Sequence, residues 1–109
     1  MKGFLEGKNI VITGAGSGIG KAIAIAAAKE GANIVVADYG VALDGSEPTS
    51  EIAESTSEEI RALGVEAIPV AGDVSKMETG EQVISAAVEN WGSVDGVVCV
   101  AGILRERML

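Results

Sequence analysis

Residues Thr13–Gly20 read Thr-Gly-Ala-Gly-Ser-Gly-Ile-Gly, directly after an apolar run and at the opening of an alanine-rich stretch. That places them where a strand would turn into a helix. Exposed N–H groups and the helix dipole make such a turn a ready anion site, and glycines let the backbone approach a diphosphate more closely than side chains allow. Spacing narrows the chemistry. A P-loop would need glycine where Ala15 stands, and Ser or Thr where Ala22 follows Lys21. The G-x-G-x-x-G spacing from Gly14 and Gly16 fails at Ile19. What remains is G-x-x-x-G-x-G through Gly14, Gly18 and Gly20, with tight strand–helix packing and no ligand as the plainer alternative. A second candidate, Asp38, closes the next apolar run. In a nucleotide-binding βαβ unit a carboxylate there accepts hydrogen bonds from the adenosine ribose hydroxyls. It also repels a 2′-phosphate, and neither Ser17 nor Tyr39 is an Arg or Lys that would compensate. The expected cofactor is therefore NAD rather than NADP; the alternative is an exposed strand-end aspartate with no ligand.

Composition removes other chemistries. The 109 residues contain no histidine, which excludes a His-based zinc site, an imidazole base and a His-containing triad. No residue is singled out as a metal ligand. The one cysteine, Cys99, excludes an internal disulfide and fits a reducing compartment; in its apolar run it reads first as a packed small hydrophobe and second as a redox thiol. Sixteen acids against 8 basic residues give a net charge of -8, which argues against nucleic acid and anionic membrane as partners. No apolar run has the ~18 residues of a membrane helix, and the N-terminus carries no secretory h-region. A cytoplasmic protein is the expectation.

Four β-rich runs and three helical stretches position these residues. Lys8–Thr13, Asn33–Asp38 and Val94–Val100 are nearly continuous apolar runs, as in a parallel sheet covered by helices on both faces. Val65–Ala71 contains Pro69, which points to an edge strand. Helical periodicity predicts Ser17–Glu30 with Ile19, Ile23, Ala26 and Ala27 on one stripe. It predicts Glu51–Leu63 with Ile52, Thr56, Ile60 and Leu63 together, and Met77–Trp91 with Met77, Ile84, Val88 and Trp91 together, widened by Val83 and Ala87. Gly31, Gly64 and Gly92 are the expected left-handed helix stops, and Ser75 with Glu78 has capping-box spacing. Gly40–Ser50 reads as a long polar loop, either a surface insertion or a lid. Repeated strand–helix–glycine cycles imply an α/β fold with right-handed crossovers.

With these residues in view, the sequence resembles the short-chain dehydrogenase/reductase family over essentially its whole length. The family's Thr-Gly-x-x-x-Gly-x-Gly motif matches Thr13, Gly14, Gly18 and Gly20, its strand-two acid matches Asp38, and its adenine-contacting Asp-Val pair matches Asp73 and Val74. Gly102–Arg107 and the loop after Asp38 are similar to the 3-hydroxyacyl-CoA dehydrogenase branch, a much less specific likeness. The resemblance implies a Rossmann-type doubly wound parallel sheet, partial here, with four strands in the order 3-2-1-4. It implies cofactor contacts from Gly14, Ser17, Gly18, Ile19 and Gly20 at the turn, and from Asp38, Asp73 and Val74 on the adenosine side. Cys99, Ala101 and Gly102 complete the implied set. One departure is that Cys99-Val100-Ala101-Gly102 stands where the family usually carries Asn-Asn-Ala-Gly, which removes two side-chain amides.

The family's chemistry also needs a serine and a Tyr-x-x-x-Lys, and the only tyrosine here, Tyr39, has Leu43 four residues on. No catalytic residue is therefore named. The expected role of residues 1–109 is the NAD-binding half-domain of an oxidoreductase, truncated before its catalytic half and inactive alone. Completed, it would pass hydride between nicotinamide and a hydroxyl or carbonyl substrate and form a homo-oligomer. The alternative is a non-catalytic dinucleotide-binding or scaffold module. A fourth strand with no fifth beside it would leave an apolar edge, so self-association of the isolated chain is expected.

Overall fold

The computed structural model describes residues 3–15, 18–38, 51–71 and 77–100. Their elements alternate: β1 (Asn9–Thr13), α1 (Gly18–Lys29), β2 (Asn33–Asp38), α2 (Glu51–Arg61), β3 (Ala67–Ala71), α3 (Met77–Trp91) and β4 (Gly96–Cys99). The four strands form one parallel sheet in the order β3-β2-β1-β4, as the family resemblance implied.

β1 and β2 are apolar on both sides because both sides are covered. Ile12, Ile34 and Val36 project into a core shared with α1 and α2. Their neighbours Val11, Val35 and Ala37 project the other way, into a smaller core under α3. The edges are thinner. β3 is one edge strand, and Pro69 sits in it opposite Val36, where a missing N–H costs no interior ladder bond. β4 is the other. α3 lies over β1, β2 and β3 but leaves β4 uncovered, so Val97, on the α3 face, stays 53% exposed while Val98 packs against the α1 and α2 core.

Helix boundaries hold to within a residue or two, but all three helix faces depart from the apolar stripes read in the sequence. α1 turns Gly20, Ala24 and Ala28 to the sheet, with Ile23 and Ala27 at the flank and Ile19 exposed. The smallest residues win the contact because they allow the closest approach of helix to strand. α2 buries Ala53, Thr56, Ser57 and Ile60 and ends at Arg61, leaving Leu63 in the turn beyond and largely exposed. The Arg61 guanidinium donates from Nε and Nη2 to the Ala67 carbonyl at 3.1 and 2.7 Å, closing the turn into β3. α3 matches its expected span, yet among its described side chains only Val83 and Ala87 are buried, and Met77, Ile84 and Val88 form an exposed apolar flank. Gly31, Gly64 and Gly92 have φ of 100, 99 and 89°, the left-handed stops expected after each helix. The loop at 40–50 and the cap at Ser75 fall outside the described residues.

Polar side chains run across the amino ends of the strands. Asn33 Nδ2 donates to Asn9 Oδ1 at 3.0 Å, and Asn33 Oδ1 accepts the Glu66 N–H at 3.1 Å. Asn9 Nδ2 donates to Ser93 Oγ at 3.2 Å, and the Asn9 N–H donates to Asp95 Oδ2 at 2.8 Å. Trp91 Nε1 donates to Glu66 Oε1 at 2.8 Å, tying the end of α3 to the start of β3. A groove of about 280 Å³ lined by Leu5, Lys8, Ile10, Asp95 and Gly96 opens beside this row. None of the residues singled out from the sequence lines it.

Candidate functional site

Because all four strands are parallel, Thr13, Asp38, Ala71 and Cys99 end at the same edge of the sheet. Sheet order reverses between β1 and β4, and in open α/β sheets the crevice at that point is where ligands bind. The glycine turn leaves β1 beside it.

The turn is held from three directions. The Ala15 N–H donates to the Ala37 carbonyl at 3.1 Å, fastening it to β2, and Ala15 is fully buried. Thr13 is 8% exposed; its Oγ1 donates to the Val98 carbonyl at 3.5 Å. The Val100 N–H reaches both Thr13 oxygens, each at 3.3 Å, fastening the turn to β4. The first turn of α1 then comes back onto the loop. A Cβ on Gly20 would overlap the Gly14 carbonyl, so only glycine fits there. Gly14 and Gly18 have φ of 70 and 59°, left-handed values that side chains disfavour. All three motif glycines are thus required by conformation or by contact, which answers why the spacing is what it is.

The electrostatics suit an anion. The first turn of α1 carries no acidic residue, so its N-terminal dipole is not neutralised from within. Lys21, the residue a P-loop would aim at phosphate, instead pairs with Glu59 of α2 at 2.7 Å. Ile19 lies at the mouth of the turn and is 61% exposed. Asp38 is half-buried at the end of β2, opposite Ala71 in the register. Cys99 is exposed and pairs with Thr13, which removes the packed-hydrophobe reading: β4 is an edge, and nothing among the described residues covers that face. The structure therefore brings together Gly14, Gly18, Ile19, Gly20, Asp38 and Cys99. Ser17, Asp73, Val74, Ala101 and Gly102 lie outside the described residues. The bond set of Thr13 is what sequence reading missed; the motif named the residue, but only a paired β4 reveals its partners.

Among the described residues no group of three His, Cys, Asp or Glu side chains could hold a metal ion, and no helix is long and apolar enough to cross a membrane.

Known proteins share this arrangement. The chain is 42% identical over 105 residues to a hydroxyacyl-CoA dehydrogenase of Mycobacterium tuberculosis, covering 96% of this chain and 32% of that protein. It is 44% identical to an L-rhamnose 1-dehydrogenase (NAD(P)(+)) of Sphingomonas, covering 92% of this chain and 36% of the relative. The crystal structure of a short chain dehydrogenase from Mycobacterium avium superposes with a TM-score of 0.80 at 42% identity, over 92% of this chain and 36% of that one. A hydroxysteroid dehydrogenase from Escherichia coli gives 0.75 at 35% identity, over 87% and 37%. The chain thus spans about a third of the length of each of these proteins. The family model for short chain dehydrogenases matches residues 8–109, and the chain belongs to that family.

Proposed function

We propose that residues 1–109 form the NAD-binding half-domain of a short-chain oxidoreductase that passes hydride between nicotinamide and a hydroxyl or carbonyl substrate. The observation that carries this reading is the close approach of Gly20 to the Gly14 carbonyl, which leaves no room for a Cβ at the N-terminus of α1. The uncompensated dipole at the N-terminus of α1 supports a dinucleotide pyrophosphate there. Asp38 would hold the ribose, Asp73 and Val74 the adenine, and Ile19 would lie against the cofactor's open side. Ser17, Cys99, Ala101 and Gly102 complete the proposed contacts. When bound, the nicotinamide supplies the hydride chemistry; the residues of this chain bind and orient.

NAD over NADP rests on Asp38, whose carboxylate would face a 2′-phosphate at a cost of several kcal/mol. Calorimetry on the 109-residue chain tests it: NAD should bind more tightly than NADP, and Asp38→Ala should narrow the gap. Equal affinities in the unmutated chain would remove Asp38 from the role. A hydroxyacyl-CoA substrate is favoured by the Mycobacterium tuberculosis relative and a sugar by the Sphingomonas relative, so a panel containing both classes decides between them once the longer protein is assayed. Homo-oligomerisation of that protein and a cytoplasmic setting belong to the same proposal, the latter supported by a lone cysteine.

A second reading is a dinucleotide-binding module without catalysis. NAD binding with no turnover of any alcohol, even after addition of the remaining two-thirds of a relative in trans, would select it.

A further inference from the structure

β4 is the strand whose placement packing specifies least. Its Gly-Val-Val-Cys sequence is flanked by Val94 and Val100 and is apolar on both faces. A slip of one residue would exchange Val97 for Val98 against the α1 and α2 core and change buried apolar surface little. α3 does not cover the strand. Hydrophobic pattern alone therefore leaves its register open.

Polar contacts at its amino end close it. Asn9 is 5% exposed and offers four groups, each of them bonded. Its N–H donates to Asp95 Oδ2 at 2.8 Å, its carbonyl accepts the Asp95 N–H at 2.7 Å, and its Nδ2 donates to Ser93 Oγ at 3.2 Å. Its Oδ1 accepts from Asn33 on β2 at 3.0 Å. Ser93 and Asp95 lie in the three-residue connection between Gly92, which ends α3, and Gly96, which begins β4. A slipped strand would drag both away from Asn9, leaving its Nδ2, N–H and carbonyl without these partners while Oδ1 keeps Asn33, and a buried donor left unpaired costs more than the exchange of one valine for another.

The register so fixed has a consequence at the far edge of the sheet. It sets Cys99 opposite Thr13 and brings the Val100 N–H to both Thr13 oxygens, the contacts that fasten the glycine turn to β4. We infer that Asn9 is a positioning residue for the dinucleotide site, acting from the opposite end of the sheet by locking the register of β4. The site half of this inference rests on the dinucleotide reading given above; the register half does not.

Hydrogen exchange and calorimetry on the 109-residue chain test both halves. In Asn9→Ala the protected amides of β4 and Val100 should exchange about tenfold faster, while those of Val35–Ala37 in β2 change by less than about twofold. NAD affinity should fall by about fivefold or more, the expected result of a loosened turn. Ser93→Ala, which removes only an exposed hydroxyl, should reproduce the pattern more weakly and covers the case in which Asn9→Ala fails to fold. Uniform acceleration across β1, β2 and β4, or unchanged β4 exchange in both variants, would overturn the register lock. Loosened β4 with unchanged NAD affinity would overturn the positioning role. If the unmutated chain binds no NAD, the dinucleotide reading and the positioning role fall together, and the exchange data still decide the register lock.

Discussion

At Gly20 a single methyl group decides whether α1 can start where it does. Gly20→Ala would press a Cβ into the Gly14 carbonyl, and backbone against backbone has no rotamer with which to escape. A destabilisation of about 2–4 kcal/mol is expected, read by denaturant titration, together with loss of NAD binding. Ser57 presents the opposite case. Its Oγ is fully buried in α2 and, among the described residues, is the buried side-chain polar atom with no hydrogen-bond partner. Removing the hydroxyl in Ser57→Ala should stabilise the chain by about 1 kcal/mol, which a thermal melt would register as a rise of a few degrees. A fall in melting temperature would mean that the hydroxyl bonds something. Neither residue could have been ranked from the sequence alone. The glycine motif announced Gly20 as special without naming the carbonyl it meets, and no periodicity singled out Ser57.

Elements were more legible than faces. Alternation of apolar runs with alanine- and glutamate-rich stretches, punctuated by Gly31, Gly64 and Gly92, is written locally, so strand and helix positions follow from it. Which side of a helix goes inward depends on what it meets. On α1 the bulky Ile19 yields to Gly20, Ala24 and Ala28 because β1 approaches closely there. On α3 the flank of Met77, Ile84 and Val88 has the period of a core stripe but has no partner among the described residues. Strand order came through family resemblance, since parallel pairing carries no local signal. At the site, residues fixed by motif arithmetic were readable, while the Thr13 and Asn9 bonds required the pairing of β1 with β4. Arg61 supplies a test at this scale. Its two bonds to the Ala67 carbonyl close the α2–β3 turn, so Arg61→Ala should cost about 1–2 kcal/mol and speed amide exchange at the start of β3 before that of β1.

The whole sheet is asymmetric at its edges. β3 ends the sheet on one side with Pro69, a residue that discourages further pairing. β4 ends it on the other with no proline and no charge within the strand, and Val97 on it is exposed. The 109-residue chain should therefore self-associate as concentration rises despite its net charge of -8. Sedimentation velocity should show this, and Val97→Lys should shift the population toward monomer by placing a charge on the uncovered face. A monodisperse monomer for the unmutated chain at high concentration would contradict it.

The bond between Trp91 and Glu66 has a practical use that follows from where it lies. It sits with the strand amino ends, while the glycine turn, Asp38 and Cys99 sit at the carboxyl ends. The only indole in the chain is thus an optical probe of the half of the molecule that no nucleotide should touch. Its emission should stay constant through an NAD titration and change only when the chain unfolds, so one cuvette can report folding while a separate signal reports ligation.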